Sequence, residues 1–164
     1  MTSATVHAEW GVGLGTGGFQ GEKAVAVVKD WSRRHAIEFG IGEFPLAGEQ
    51  EYQLNLGYRF TPWQVRYYDV AWSPLGVGVV ALYALDQDEY FVESPDKYPS
   101  PDYYEQTGLR LGVEVSTQMM AWADRVRLLY KVVLLDTGIT SYINNDGKYA
   151  ENFYSSGLFI EFFF

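Results

Sequence analysis

The side chains best suited to acid–base chemistry in this sequence are its two histidines. Acyl transfer through a histidine requires a nucleophile and an orienting acid within hydrogen-bond reach. Ser32 lies three positions before His35, but it falls on a predicted turn, and His7 is followed closely by Glu9 on a polar face. His35 is therefore the only catalytic candidate. The favoured alternative is an interfacial histidine at a strand end beside two arginines.

Metal and cofactor chemistry finds little support in the residue types. The sequence contains no cysteine, which excludes disulfides, thiol nucleophiles and cysteine-ligated metals. Acidic residues cluster between 86 and 102, but their spacing matches no calcium-binding EF-hand loop. No metal site and no cofactor are predicted. The net charge of −9 argues against a nucleic-acid partner, which would require basic patches.

A larger set of charged residues recurs on one face of alternating segments. It contains four anions and four cations, namely Glu9, Glu38, Glu114, Glu161, Arg59, Arg110, Arg127 and Lys131. The rest of the chain is strongly acidic, so this balance is not inherited from composition. An unpaired charge that is shielded from water is costly, so a matched set is expected where charges face an enclosed interior. The alternation therefore predicts a charge network inside a closed sheet.

The elements that would position these charges are strands of about ten residues with apolar and polar residues in alternation. The pattern is clear in six segments, and two more are strand-like but ambiguous in face. The eight segments are 6–15, 22–31, 35–44, 51–60, 75–86, 107–116, 125–134 and 155–164. Each is near the length that a tilted strand needs to cross a bilayer. The prediction is one all-β domain over residues 1–164, an antiparallel up-and-down transmembrane barrel of about eight strands.

The connections alternate in length, as they do in outer-membrane barrels. Short turns are predicted at 31–34 and 121–124, and long outer loops at 87–105 and 136–153. The segment 61–74 breaks the up-and-down parity if it is counted as a strand. It is interpreted as a long periplasmic connection, with an extension of the fifth strand broken at Pro74 as the alternative.

Alternation also describes soluble sandwiches and lipocalin-like barrels. Two further features favour a membrane barrel. The apolar face ends in aromatic residues such as Tyr52 and Phe60, which suit the headgroup level. The opposite face mixes glycine with isolated charges, which suits a narrow barrel interior better than a solvated surface. No run of about 18 apolar residues is present, so a transmembrane helix is excluded.

The last residues, Gly157-Leu-Phe-Ile-Glu-Phe-Phe-Phe164, resemble the C-terminal signal of bacterial outer-membrane β-barrels. The opening Trp10-Gly-Val-Gly-Leu-Gly15 is similar to the first strands of that family. The resemblance implies location in a bacterial outer membrane, with lipids including lipopolysaccharide as partners. It also implies recognition by the assembly machinery through an assembly signal, Leu158, Ile160, Phe162 and Phe164. Because Met1-Thr2-Ser3-Ala4 lacks the features of a secretory signal, a mature chain is expected, with the signal peptide removed and Met1 added.

Three functions remain open from the sequence. The first is a structural or anchoring barrel with a filled polar lumen, which presents its long loops to a partner. Its candidate recognition residues are Tyr90, Phe91, Tyr98, Tyr103 and Tyr104. The second is a lipid A-modifying enzyme, an acyl hydrolase or acyltransferase. The third is a soluble lipocalin-like carrier.

Overall fold

The computed structural model describes residues 8–17, 23–46, 49–85, 109–135 and 154–164. These residues form nine strands, all paired antiparallel. The strands are β1 (Ala8–Thr16), β2 (Lys23–Trp31), β3 (His35–Leu46), β4 (Glu49–Phe60), β5 (Val65–Tyr67), β6 (Val70–Ala84), β7 (Leu109–Ala121), β8 (Val126–Leu135) and β9 (Tyr154–Phe163). No helix long and apolar enough to cross a bilayer occurs within these ranges.

Eight of the strands close into a barrel. Each pairs with its neighbour along the chain, β1 pairs with β9, and β4 pairs directly with β6. The ring is therefore β1-β2-β3-β4-β6-β7-β8-β9, and closure leaves none of these strands with an unpaired edge along the barrel wall. The predicted fold class, an all-β antiparallel up-and-down barrel of eight strands, is confirmed.

The short strand β5 explains how the segment 61–74 is accommodated without adding a ninth strand to the barrel wall. Residues 61–64 interrupt the pairing after β4, opposite a bulge in β6 between Ser73 and Gly76. Beyond this break β5 pairs with the beginning of β6, from Val65 opposite Trp72 to Tyr67 opposite Val70. The segment is thus the tip of one long hairpin. It follows the alternative interpretation of 61–74, except that Pro74 lies at the bulge and does not end the strand.

The two ends of the barrel differ in their connections. One end carries the turns 32–34 and 122–125, the β5 hairpin and the terminal residue Phe164, whose amide donates to the carbonyl of Trp10. We call this the short-turn end. Both turns use positive φ angles, at Ser32, Arg33 and Trp122 among others, which tighten the reversal. The predicted loops 87–105 and 136–153 lie outside the described residues. The strand ends that flank them, at Ala84, Leu109, Leu135 and Tyr154, are at the opposite end of the barrel.

Candidate functional site

The inward face of the barrel is polar and charged. In β2 the alternation of exposure is regular, with Ala24, Ala26, Val28 and Asp30 buried inside. The buried charged residues of the strands are Asp30, Glu38, Arg59, Glu114, Arg127, Lys131 and Glu161. Buried neutral polar residues accompany them, namely Gln53, Asn55, Ser73, Ser116 and Gln118. Smaller apolar clusters, such as that of Met120 and Phe163, fill the remaining space.

Arg59, on β4, lies at the centre of the ion pairs. Its Nη2 is 3.3 Å from Glu161 Oε1, on β9 across the lumen. Its Nη1 lies 3.5 Å from Glu114 Oε1 and 3.8 Å from Glu38 Oε2. One guanidinium therefore joins carboxylates from three other strands, which ties opposite walls of the barrel together.

Arg127 and Lys131 are the other two buried cations among the described side chains, and both belong to this network. Arg127 donates from Nη1 to Glu161 Oε2 at 2.7 Å and from Nη2 to Asp30. Lys131 donates from Nζ to Glu38 Oε1 at 2.5 Å, and its Nζ lies 3.8 Å from Glu114 Oε2. Aromatic rings stack against both cations. Phe163 is 4.6 Å from the Arg127 guanidinium carbon, and Phe159 is 4.2 Å from Lys131 Nζ.

The space for these side chains comes partly from glycine. A Cβ placed on Gly40 would lie 2.6 Å from the carbonyl oxygen of Val25 and 3.0 Å from Asn55 Oδ1. Such contacts are shorter than van der Waals separation. A side chain at Gly40 would therefore be too crowded, as expected in a narrow lumen.

A second group of ion pairs lies at the short-turn end, and we call it the end cap. Asp124, in the β7–β8 turn, is buried and accepts from Arg66 of β5 at 2.7 and 2.8 Å. It also accepts from Arg33 of the β2–β3 turn. The backbone amide of Arg33 in turn donates to Asp30 at 2.8 Å. One carboxylate thus joins three connections across the mouth of the barrel.

The structure brings together six of the eight residues proposed for the charge network. Glu9 is half-exposed near the rim, and within the described residues no ion pair to it is found. Arg110 lies on β7 opposite Leu82, and its side chain is not among those that the structure describes. Sequence reasoning missed Asp30 and Asp124. Continuing the alternation of β2 one step past Val28 would have found Asp30, whereas no periodic signal marks Asp124.

The outward face is predominantly apolar along the strands. Large hydrophobic side chains there are about half exposed, for example Phe39 at 54%, Val79 at 58% and Leu111 at 55%. The predicted assembly-signal residues Leu158, Ile160, Phe162 and Phe164 all lie on this face and are exposed. Lys29 is one of its few charges, and its ammonium lies 4.7 Å from the Trp10 ring and 5.3 Å from the Trp31 ring.

His35 faces outward at the short-turn end. A hydrogen bond of 2.7 Å joins its Nδ1 to the Tyr58 hydroxyl, and its ring lies 4.9 Å from that of Phe60. Ser32 donates instead to the carbonyl of Trp31 at 2.6 Å. Within the described residues, the serine is therefore not engaged with the histidine as an acyl-transfer pair would be.

The remaining predictions concern the loop recognition residues and metal binding. The candidate recognition residues Tyr90, Phe91, Tyr98, Tyr103 and Tyr104 lie outside the described residues. Among the residues that are described, no group of three or more His, Asp or Glu side chains is placed to hold a metal ion.

Comparison with models of known protein families gives no match to this chain, and comparison with curated proteins finds no relative either.

Proposed function

We propose that this chain is an outer-membrane β-barrel with a structural role, which anchors its long outer loops to the membrane and presents them to a partner. The observation that carries the proposal is the inverted distribution of polarity. Arg127 and Lys131 are each 1% exposed, while Val79 on the outside is 58% exposed. A soluble barrel would place these residue types the other way round.

The apolar exterior supports contact with hydrocarbon. Soluble monomers rarely expose contiguous apolar patches above a few hundred Å². Here apolar side chains recur on the outside of every barrel strand that the structure describes. The eight strands of the ring have 9 to 15 residues. About 9–11 residues suffice for a tilted strand to cross a bilayer.

The interior supports a filled polar core in preference to a pore or a ligand cavity. An eight-stranded barrel is just wide enough for its own side chains. Arg59 reaches across the lumen to Glu161, and Lys131 reaches Glu38, so charged side chains occupy the axis. A lipocalin-like carrier would need an apolar, open interior in this position.

Orientation follows from the short-turn end, which faces the periplasm in barrels of this kind. The loops 87–105 and 136–153 then reach the cell exterior, where their tyrosines would recognise a protein partner. Lipids, including lipopolysaccharide, would contact the outward face. The C-terminal residues from Leu158 to Phe164 would engage the assembly machinery.

The proposal is tested by folding the purified chain into phospholipid vesicles. We expect unheated protein to migrate differently from boiled protein in SDS gels, and we expect membrane fractionation that resists alkaline carbonate. In the absence of detergent or lipid, the protein should aggregate because its outer face is apolar. A monodisperse, folded monomer in plain buffer would overturn the proposal.

A further inference from the structure

An apolar groove of about 460 Å³ lies on the outer surface across β3, β4, β6 and β7. It arises at Ala81, the smallest outward side chain of its neighbourhood, which register places between Leu56 on β4 and Leu111 on β7. Ala81 is too short to fill the gap between these leucines. The groove walls are aliphatic except at one position, Tyr58.

That exception connects the groove to a polar pair. Tyr58 and Ile37 line the groove at its short-turn side, and Tyr58 is the residue that is hydrogen-bonded to His35 Nδ1. When the tyrosine hydroxyl donates to Nδ1, the proton of a neutral imidazole resides on Nε2, which can then donate to a ligand. Arg34 immediately precedes His35, and its side chain is exposed. A guanidinium and an imidazole N–H together suit a phosphate oxygen.

The surrounding residues place this polar pair at headgroup depth. Lys29 is the register partner of Ile37 and lies over two tryptophan rings, Trp10 and Trp31. Tryptophan and lysine of this kind mark the membrane–water boundary. From the register pair His35–Phe60 to the level of Leu56 is four residues, or about 14 Å along the strand at about 3.4 Å per residue. The groove therefore runs from the boundary into the hydrocarbon.

We propose that this surface binds one glycerophospholipid of the leaflet at the short-turn end. The phosphate is held by Arg34 and by Nε2 of His35, and one acyl chain lies in the groove over Ala81. The inference rests on the proposed membrane location. It adds a defined lipid site to a surface that would otherwise contact lipids without preference.

The experiment is native mass spectrometry of the full chain, folded into vesicles of phosphatidylglycerol and phosphatidylethanolamine and then transferred to detergent. We expect the protein to retain one phospholipid under conditions that strip the remaining lipid. Ala81→Leu fills the groove and should lower the retained fraction about tenfold, equivalent to about 1.4 kcal/mol of binding free energy. Arg34→Gln combined with His35→Gln should lower retention to a similar extent.

Two matched variants serve as controls. Ala121→Leu makes the same change on the outward face of β7 away from the groove, and Arg125→Gln removes an exposed arginine from the other short turn. Both should retain lipid as the parent does. Retention by Ala81→Leu at the parent level, or equal losses in the controls, would overturn the inference.

Heat-modifiable gel migration of each variant separates the two proposals. A barrel that inserts and folds but retains no phospholipid refutes the lipid site alone. A chain that fails to insert into vesicles refutes the membrane location, and the lipid site with it.

Discussion

Two sets of ion pairs occupy the inside of this barrel, and they differ in their access to water. In the central network the side chains of Arg59, Arg127 and Lys131 are 1–4% exposed. In the end cap the side chains of Arg33 and Arg66 are 38% and 46% exposed. Both sets contain arginine–aspartate pairs, Arg127 with Asp30 in the central network and Arg66 with Asp124 in the end cap. The comparison therefore separates the chemistry of an ion pair from the effect of its surroundings.

The difference teaches that burial, and not pairing as such, makes a charge indispensable. Removing two charges from water costs more than their attraction returns unless further hydrogen bonds complete the site. A central pair therefore adds little net stability over an apolar core of the same shape. Once the pair is present, however, removing either partner alone is strongly destabilising, because the remaining charge is buried and cannot be hydrated.

The largest effect is expected for Arg127→Gln, which leaves Asp30 and Glu161 without their shared cation. We expect a loss of about 3–5 kcal/mol in the free energy of unfolding, as found on breaking buried pairs. Denaturant titration of the vesicle-folded protein, followed by tryptophan fluorescence, measures this loss. A loss below 1 kcal/mol would mean that water reaches the central network and that the two regions do not differ.

Added volume at the centre should also be destabilising, though less so than the loss of a buried cation. Gly40→Ala forces a Cβ against the Val25 carbonyl oxygen, and overpacking of this kind costs about 1–3 kcal/mol. Gly57→Ala is the matched control, because its Cβ would lie 3.7 Å from Glu38 Cγ, an ordinary contact. The same titration applies to both variants. Equal stability of the two would contradict the view that the lumen is crowded at Gly40.

A smaller effect is expected for Glu114→Gln, despite equal burial. The central network as described has four carboxylates, Asp30, Glu38, Glu114 and Glu161, and three cations. Of the four carboxylates, Glu114 lies farthest from its nearest cation, at 3.5 Å from Arg59, and its second contact is 3.8 Å to Lys131. Its neutralisation leaves three charges of each sign, so we expect a loss of only about 1 kcal/mol. A loss as large as that of Arg127→Gln would show that the fourth carboxylate is balanced by a further cation.

The central network and the end cap also differ in how much of each can be predicted from the sequence. Strand residues obey a period of two, so alternation alone assigns Glu38, Arg59 and Lys131 to one face. Asp124 sits in a turn at φ 65°, where no period applies, and its partners come from other connections. The end cap could not be read from the sequence for that reason.

Register sets a second limit on prediction. The contact between His35 and Tyr58 depends on the register of β3 against β4. The groove at Ala81 depends on the registers of β4, β6 and β7 together. A one-residue slip would reverse the faces of a strand. Alternation says which face a residue occupies, but not which residues of the neighbouring strands lie opposite it. The interruption of pairing at 61–64 is likewise explained only by the bulge in β6 that lies opposite it.

The smallest effect is expected for Arg66→Gln, which makes at the end cap the change that Arg127→Gln makes at the centre. Arg33 remains to pair with Asp124, and both arginines can exchange their partner for water. Half-exposed pairs of this kind contribute about 0.2–1 kcal/mol.

Salt sharpens this last test, because screening shortens the range of exposed charges to about 3 Å at 1 M and leaves buried pairs nearly unaffected. We expect the difference between Arg66→Gln and the parent to shrink between low and high sodium chloride. The penalty of Arg127→Gln should stay constant over the same range. If both penalties respond to salt alike, solvent access does not distinguish the end cap from the central network, and the two sets of pairs must be explained by their geometry alone.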